Sequence, residues 1–269
     1  MSLYERHPMG FDAIEKGLLH CVMQRMCSSV RNGECAWEDA QKHFNIYTFR
    51  GRVKSSERLK RKLIEAEDKY GVQLTEDNFT EFIPDLVATR VVCLHHDDLL
   101  PVALQLSGLL QDGGMFEAPP PNSKIVPLRV RQGVLTLLDI PEFKKAGFMI
   151  DEAHKAGYTS IHFVFRITSN FRKEVELTSH REYDRLLKGR KCFIEIQLRT
   201  ILEEAWGEVD HRARYEDERL ANDPDLLSQL TALASYLQAG NHHVSLIRET
   251  AHRKFLQLDG SGSRNSTSP

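Results

Sequence analysis

The chain has 269 residues, 36 Lys and Arg against 38 Asp and Glu, a formal net charge of −2 and a pI near 6.6. This balance argues against binding nucleic acid through overall basic charge, although local patches remain open. A hydrophobic content of 41% and a charged content of 28% exclude disorder on a large scale and leave ample length for a proper core.

The opening MSLYERHPMGFDAIEKG is charged and lacks an apolar signal region, and no apolar run approaches membrane-spanning length, so no membrane partner is expected. Cys21, Cys27, Cys35, Cys93 and Cys192 are odd in number and form no CxxC pair. They read as reduced, structural thiols and as a cytoplasmic site of action.

Phe11, Ile14, Leu18, Val22 and Met26 recur at helical spacing, predicting an amphipathic helix over 11–31 that ends near Asn32-Gly33. NIYTFRGRVKSSERLKRKLIEAEDKYG predicts a short strand, a turn and a helix from Ser56 to Tyr70, with Leu59, Leu63, Ala66 and Tyr70 as its buried stripe. PDLVATRVVCLHHDDLLPVALQLSGLL predicts a β-branched strand and another helix. DGGMFEAPPPNSK reads as a loop, and IVPLRVRQGVLTLLDI as two short strands joined at Gly133.

GYTSIHFVFRI alternates, with Tyr158, Ser160, His162 and Val164 on one face, and a hairpin-like link is expected to lead on to KCFIEIQLRT. In that second strand Cys192, Ile194, Ile196 and Leu198 share one face, while Phe193, Glu195, Gln197 and Arg199 share the other. Thr200 and Glu203 have capping-box spacing, and Leu202, Ala205, Trp206 and Val209 are expected to form the apolar face of the next helix. Further helices are expected over 224–256, and the Gly- and Ser-rich DGSGSRNSTSP as a disordered tail. Alternating strands and helices support an α/β or α+β class.

Between Arg50 and Lys62 stand seven cations and one acid, Glu57, across a strand-to-helix junction. Cations around a helix N-terminus suit a polyphosphate, and a solvated charged face is the alternative. Asp85, after Pro84, and Glu195 supply the two carboxylates a magnesium site takes alongside substrate phosphates; a turn residue and a wet strand face are their alternatives. Tyr158 could stack on a base, or be half-buried core. HHDD at 95–98 invites a metal-hydrolase reading, yet has no convincing distant partners.

In this order, GRVKSSERLKRKL, DLVATRVV, GYTSIH and EIQLRTILEEAWGEVDH resemble the synthetase domain of the RelA/SpoT family, most closely the single-domain small alarmone synthetases and their toxic variants. The resemblance implies a nucleotidyltransferase-like fold, a mixed β-sheet flanked by helices. It implies an N-terminal helical extension over 1–45, a synthetase domain over 46–215, C-terminal helices over 216–258 and a tail over 259–269. No hydrolase domain is expected ahead of residue 46, nor the regulatory region of long members behind.

The resemblance further implies Arg52, Lys54, Arg58, Arg61, Lys62 and Arg90 at ATP, with Arg52 and Arg90 near adenine. It implies Asp85 and Glu195 as catalytic carboxylates holding Mg2+, and Lys155, Tyr158, His162, Gln197 and Arg199 on the acceptor side. The implied reaction passes pyrophosphate from ATP to the 3′-hydroxyl of GDP or GTP. HKAGY departs from the pattern: His154 stands where lysine is expected, with Lys155 displaced by one, and Ala156 replaces asparagine. These changes fall beside the acceptor, so an adenosine nucleotide or the 3′ end of tRNA stays open. A toxin with an antitoxin partner, a homo-oligomer and an inactive nucleotide-sensing module stay open as well.

Overall fold

The computed structural model describes residues 8–31, 35–75, 78–111, 114–120, 125–132, 140–152, 157–176, 191–215, 220 and 222–262. Helices α1 (Pro8–Arg31) and α2 (Trp37–His43) precede β1 (Ile46–Val53) and α3 (Ser56–Tyr70). β2 (Val87–Cys93), α4 (Leu99–Ser107), β3 (Phe116–Glu117), β4 (Leu128–Arg131), α5 (Ile140–Lys145) and β5 (Met149–Ile150) follow. β6 (Ser160–Ile167), α6 (Ser169–Glu176), β7 (Phe193–Thr200), α7 (Ile201–Tyr215) and α8 (Pro224–Gly262) complete the order.

The seven strands form one mixed sheet in the order β1-β2-β7-β6-β4-β5, with β3 beside β6. β2 and β7 are parallel; β1 with β2, and β6 with β7, are antiparallel. The apolar face carries Val87, Val91, Ile161, Phe163, Ile194 and Ile196 into the main core. The α1 stripe Phe11, Ile14, Leu18, Val22 and Met26 is completely buried in that same core. Burial of such side chains is worth about 2 kcal/mol each, which holds α1 firmly to the body.

The other face is polar because of register. Arg50 is opposite Arg90, Arg90 opposite Gln197, Gln197 opposite His162 and His162 opposite Arg129, so one polar row crosses five strands. Arg52, Ala88, Glu195 and Val164 make the adjacent row. A slip of one residue in any pairing would send these side chains into the core.

Local signals explain the helix ends. Ser55 caps α3 by accepting from the Arg58 N–H, and Gly71 closes it in the left-handed region at φ 66°. At the start of α7 the Thr200 N–H donates to Glu203 Oε2 at 2.7 Å and the Glu203 N–H donates to Thr200 Oγ1 at 3.2 Å, a reciprocal capping box.

Several expectations are corrected. The stretch read as a loop contains β3, whose Phe116 packs on Phe165 and Phe171. Of the two strands expected around Gly133, β4 is present; 133–139 lie outside the described residues and Ile140 begins a helix. The link from β6 to β7 is no hairpin: it includes α6, and 177–190 lie outside the described residues. Asp85, which the stretch DLVATRVVC places at the opening of a strand, sits in the turn before β2.

On α7, Ala205 and Val209 are exposed, while Glu203, Trp206 and Asp210 are buried, Glu203 in the Thr200 capping box. The helices expected over 224–256 are a single one, α8, of 39 residues. It runs through 259–262, which were read as tail; 263–269 lie outside the described residues.

Candidate active site

Three adjoining cavities run along the polar face. One of about 340 Å³ is lined by Arg52, Lys54, Arg58, Arg61, Lys62, Glu65, Asp85 and His211. A second, of about 170 Å³, shares Lys62, Glu65 and Asp85 and extends to Arg131 and Glu195. A third, of about 300 Å³, shares Arg52, Arg58 and His211 and adds Arg50, Arg90 and Glu208. All six cations assigned to ATP therefore line one continuous cleft, and both carboxylates open onto it. Lys62 also pairs with Glu65 at 2.6 Å. A larger cavity of about 560 Å³ lies elsewhere, between α1 and the segment around Met115.

Lys54 is 4% exposed, and its Nζ is 2.7 Å from Asp85 Oδ2. Arg90 Nη1 is 2.8 Å from Glu204 Oε1 and 3.0 Å from Glu208 Oε1, and Arg50 pairs with Glu204 as well. Burial pushes the Arg90 guanidinium down, but Glu204 and Glu208 outweigh it and raise it overall. Burial and then the Arg90 charge lower Arg52. Burial and then Arg58 lower His211, which favours its neutral form in the cleft.

Glu195 is held by a closed ring of side chains. Its Oε1 is 2.7 Å from His162 Nδ1 and its Oε2 accepts from Gln197 Nε2 at 2.7 Å. Arg199 Nη2 donates to Gln197 Oε1 at 2.5 Å and to the Tyr158 hydroxyl at 3.2 Å, and that hydroxyl is 3.3 Å from His162 Nε2. Burial pushes His162 down, against the pull of the Glu195 carboxylate. Donors and acceptors then match if Nδ1–H donates to Glu195 and Nε2 accepts from Tyr158. Burial also acts to raise the Glu195 carboxyl, but His162, Gln197 and Arg131 together outweigh it and hold it at about 2. Glu195 is thus an ionised, buried carboxylate with both oxygens fixed.

Tyr158 is not an open platform. The Arg199 guanidinium lies 5.5 Å from its ring centroid, Trp206 is tilted at 5.7 Å, and the ring packs against the cluster of Trp206 with Leu230 and Ala234 of α8. Trp206 Nε1 donates to the Leu230 carbonyl at 3.0 Å, fastening α8 there. Gly157, at φ 83°, leaves so little room that a Cβ would stand 2.2 Å from that of Ala234. Lys155, like His154 and Ala156, lies outside the described residues.

Sequence reasoning missed Glu204, Glu208 and Arg131, whereas His211 lies in the stretch EEAWGEVDHRARYE that it singles out together with Trp206 and Asp210. The signal for the two acids was present: Glu204 and Glu208 are four apart on one helical face, directly after the strand that pairs with β2 and its Arg90. Arg131 fell in a stretch without readable periodicity.

The donor set suits magnesium. Two carboxylates border one cavity beside many cations, and that ion takes one or two carboxylates with water and phosphate oxygens completing its shell. Among the described residues no three His, Cys, Asp or Glu side chains gather as a metal cluster, which speaks against an all-protein site such as HHDD would need.

No protein-family model and no curated protein matches the chain. Small alarmone synthetase 1 from Bacillus subtilis is similar in structure at 17% identity, with 93% of this chain and 98% of that chain covered and a TM-score of 0.55. The same protein bound to its product pppGpp gives the same 17% identity, the same 93% and 98% coverage and a TM-score of 0.55. Bound to AMPCPP it gives 17% identity, 93% and 98% coverage and a TM-score of 0.52. The α/β chain, with its seven-stranded mixed sheet flanked by helices, therefore has the synthetase fold of the small alarmone synthetases.

Proposed function

We propose that the protein is an ATP-dependent pyrophosphotransferase, acting in the cytoplasm, whose acceptor is the 3′-hydroxyl of GDP or GTP. One observation carries the reading: six cations and Asp85 converge on one cleft that opens directly onto Glu195. A cleft so rich in cations suits the three phosphates of ATP, and a fixed carboxylate beside it suits a hydroxyl.

In the proposed reaction the 3′-oxygen forms a bond to the β-phosphorus, the bond from that phosphorus to the α,β-bridging oxygen breaks, and AMP leaves. Lys54, Arg58, Arg61 and Lys62 offset the charge on the phosphates, and Arg52 and Arg90 flank the base. Glu195 accepts the hydrogen bond of the attacking hydroxyl and takes its proton. A carboxylate as acidic as Glu195 is adequate when the transition state is loose and the proton leaves late. Mg2+ held by Asp85 and Glu195 would neutralise charge on the transferred phosphates. His162, Gln197 and Arg199 keep the Glu195 oxygens aimed, and their contacts support that role more directly than contact with acceptor phosphates.

The test is incubation with magnesium and β-labelled ATP, offering GDP, GTP, ADP, ATP and bulk tRNA separately. Label on GDP or GTP is the expected result. Label on adenosine nucleotides or tRNA would replace the acceptor and favour a toxin, and label on none would overturn the enzyme in favour of a nucleotide-sensing module.

A further inference from the structure

Glu204 occupies a place that neither half of the site explains. Its Oε1 takes Arg50 and, at 2.8 Å, Arg90, both of which line the donor cleft. Its Oε2 stands 3.3 Å from Arg199 Nη1, and Arg199 is the donor that feeds both arms of the Glu195 ring. One carboxylate thus touches the donor cleft with one oxygen and the Glu195 support with the other.

The surroundings are built for this contact. The Arg199 side chain is 3% exposed and the Glu204 side chain 12%, so solvent screens their interaction weakly. Gly207, one turn further along α7, makes room: a Cβ there would stand 2.7 Å from Arg199 Nη1. Glu208 holds Arg50 and Arg90 too, at 3.8 and 3.0 Å, but its contacts are confined to the donor side, so it stands apart as an internal control.

We propose that Glu204 is a positioning residue that couples the donor cleft to the Glu195 ring, so that seating Arg90 on ATP and aiming Glu195 at the acceptor are linked. This rests on the nucleotide-transfer reading above. A shared carboxylate cannot lose or shift one guanidinium without changing its hold on the other. Occupation of the donor cleft is then felt at Arg199, and through Tyr158, His162 and Gln197 at both oxygens of Glu195.

The test is a double-variant cycle read by calorimetric binding of AMPCPP with magnesium, which needs no acceptor. Arg199→Lys, remote from the donor cleft, should weaken AMPCPP binding about three- to tenfold in the parent background. In a Glu204→Gln background the same change should alter binding by less than about twofold, while in a Glu208→Gln background it should keep its full effect. Glu204→Asp, too short to span both arginines, should behave as Glu204→Gln does and supplies the cycle if Gln fails to fold. A merely structural role for Glu204 predicts equal effects of Arg199→Lys in every background, and that result overturns the coupling. Failure of the parent to bind AMPCPP would instead overturn the nucleotide-transfer reading and the coupling with it.

Discussion

The buried Lys54 pairs with the half-buried Asp85 in the cleft, with Nζ 2.7 Å from Oδ2 and the lysine 4% exposed. An ammonium this deeply placed depends on its carboxylate, so Asp85→Asn should lower stability by about 2 kcal/mol as well as abolish transfer. Lys54→Met combined with Asp85→Asn should restore much of the melting temperature and none of the activity. Thermal melts and the labelling assay on the three variants separate the two roles.

The ring around Glu195 predicts a shift in pH dependence. With its carboxyl held at about 2, Glu195 stays ionised throughout the mildly acidic range, so it sets no acid limb of kcat above pH 4 or so. Gln197→Ala removes one of the groups that oppose burial, and the Glu195 carboxyl should rise. The acid limb should then move up in pH, with kcat falling about tenfold or more at neutral pH. An unshifted profile in this variant would show that the ring does not govern Glu195.

Glu203 behaves oppositely. Burial pushes its carboxyl up to about 7, against the pull of the Thr200 N–H and Arg199. The folded state therefore binds a proton that the unfolded chain has released, and stability is greatest below the unfolded carboxyl value near 4.3 and is lost as pH rises to 7. Glu203→Gln keeps the acceptor oxygen of the capping box and removes the charge. It should flatten the slope of unfolding free energy between about pH 4.5 and 7, and raise stability at pH 8 by about 3 kcal/mol at most.

Gly157 predicts a packing failure. Its φ of 83° and the 2.2 Å approach of a Cβ to Ala234 leave Ala no place there, so Gly157→Ala should cost about 2 kcal/mol. The strain falls between Tyr158 and α8, so tryptophan fluorescence from Trp206 should report the displacement.

What the sequence made legible follows from periodicity. The strand β1, the span of α3, the α1 stripe, the Glu195 face and the capping box are local patterns of two, three or four residues, and the structure keeps each of them. The row Arg50, Arg90, Gln197, His162 depends on pairing between strands as far as 40 residues or more apart, which no local window contains. The covering of Tyr158 by α8 is hidden for the same reason: Gly157 and Ala234 meet only once the sheet and both last helices are in place. α7 was misread because a buried Glu203 and Asp210 mimic an outward face when periodicity is judged by polarity.

β7 passes into α7 with no loop: Thr200 is the last strand residue and Ile201 the first helical one. Glu195 and Glu204 consequently lie on two consecutive elements joined directly through the Thr200–Glu203 capping box. Because Trp206 of α7 donates to the Leu230 carbonyl of α8, the long C-terminal helix is tied to the very helix that continues the Glu195 strand.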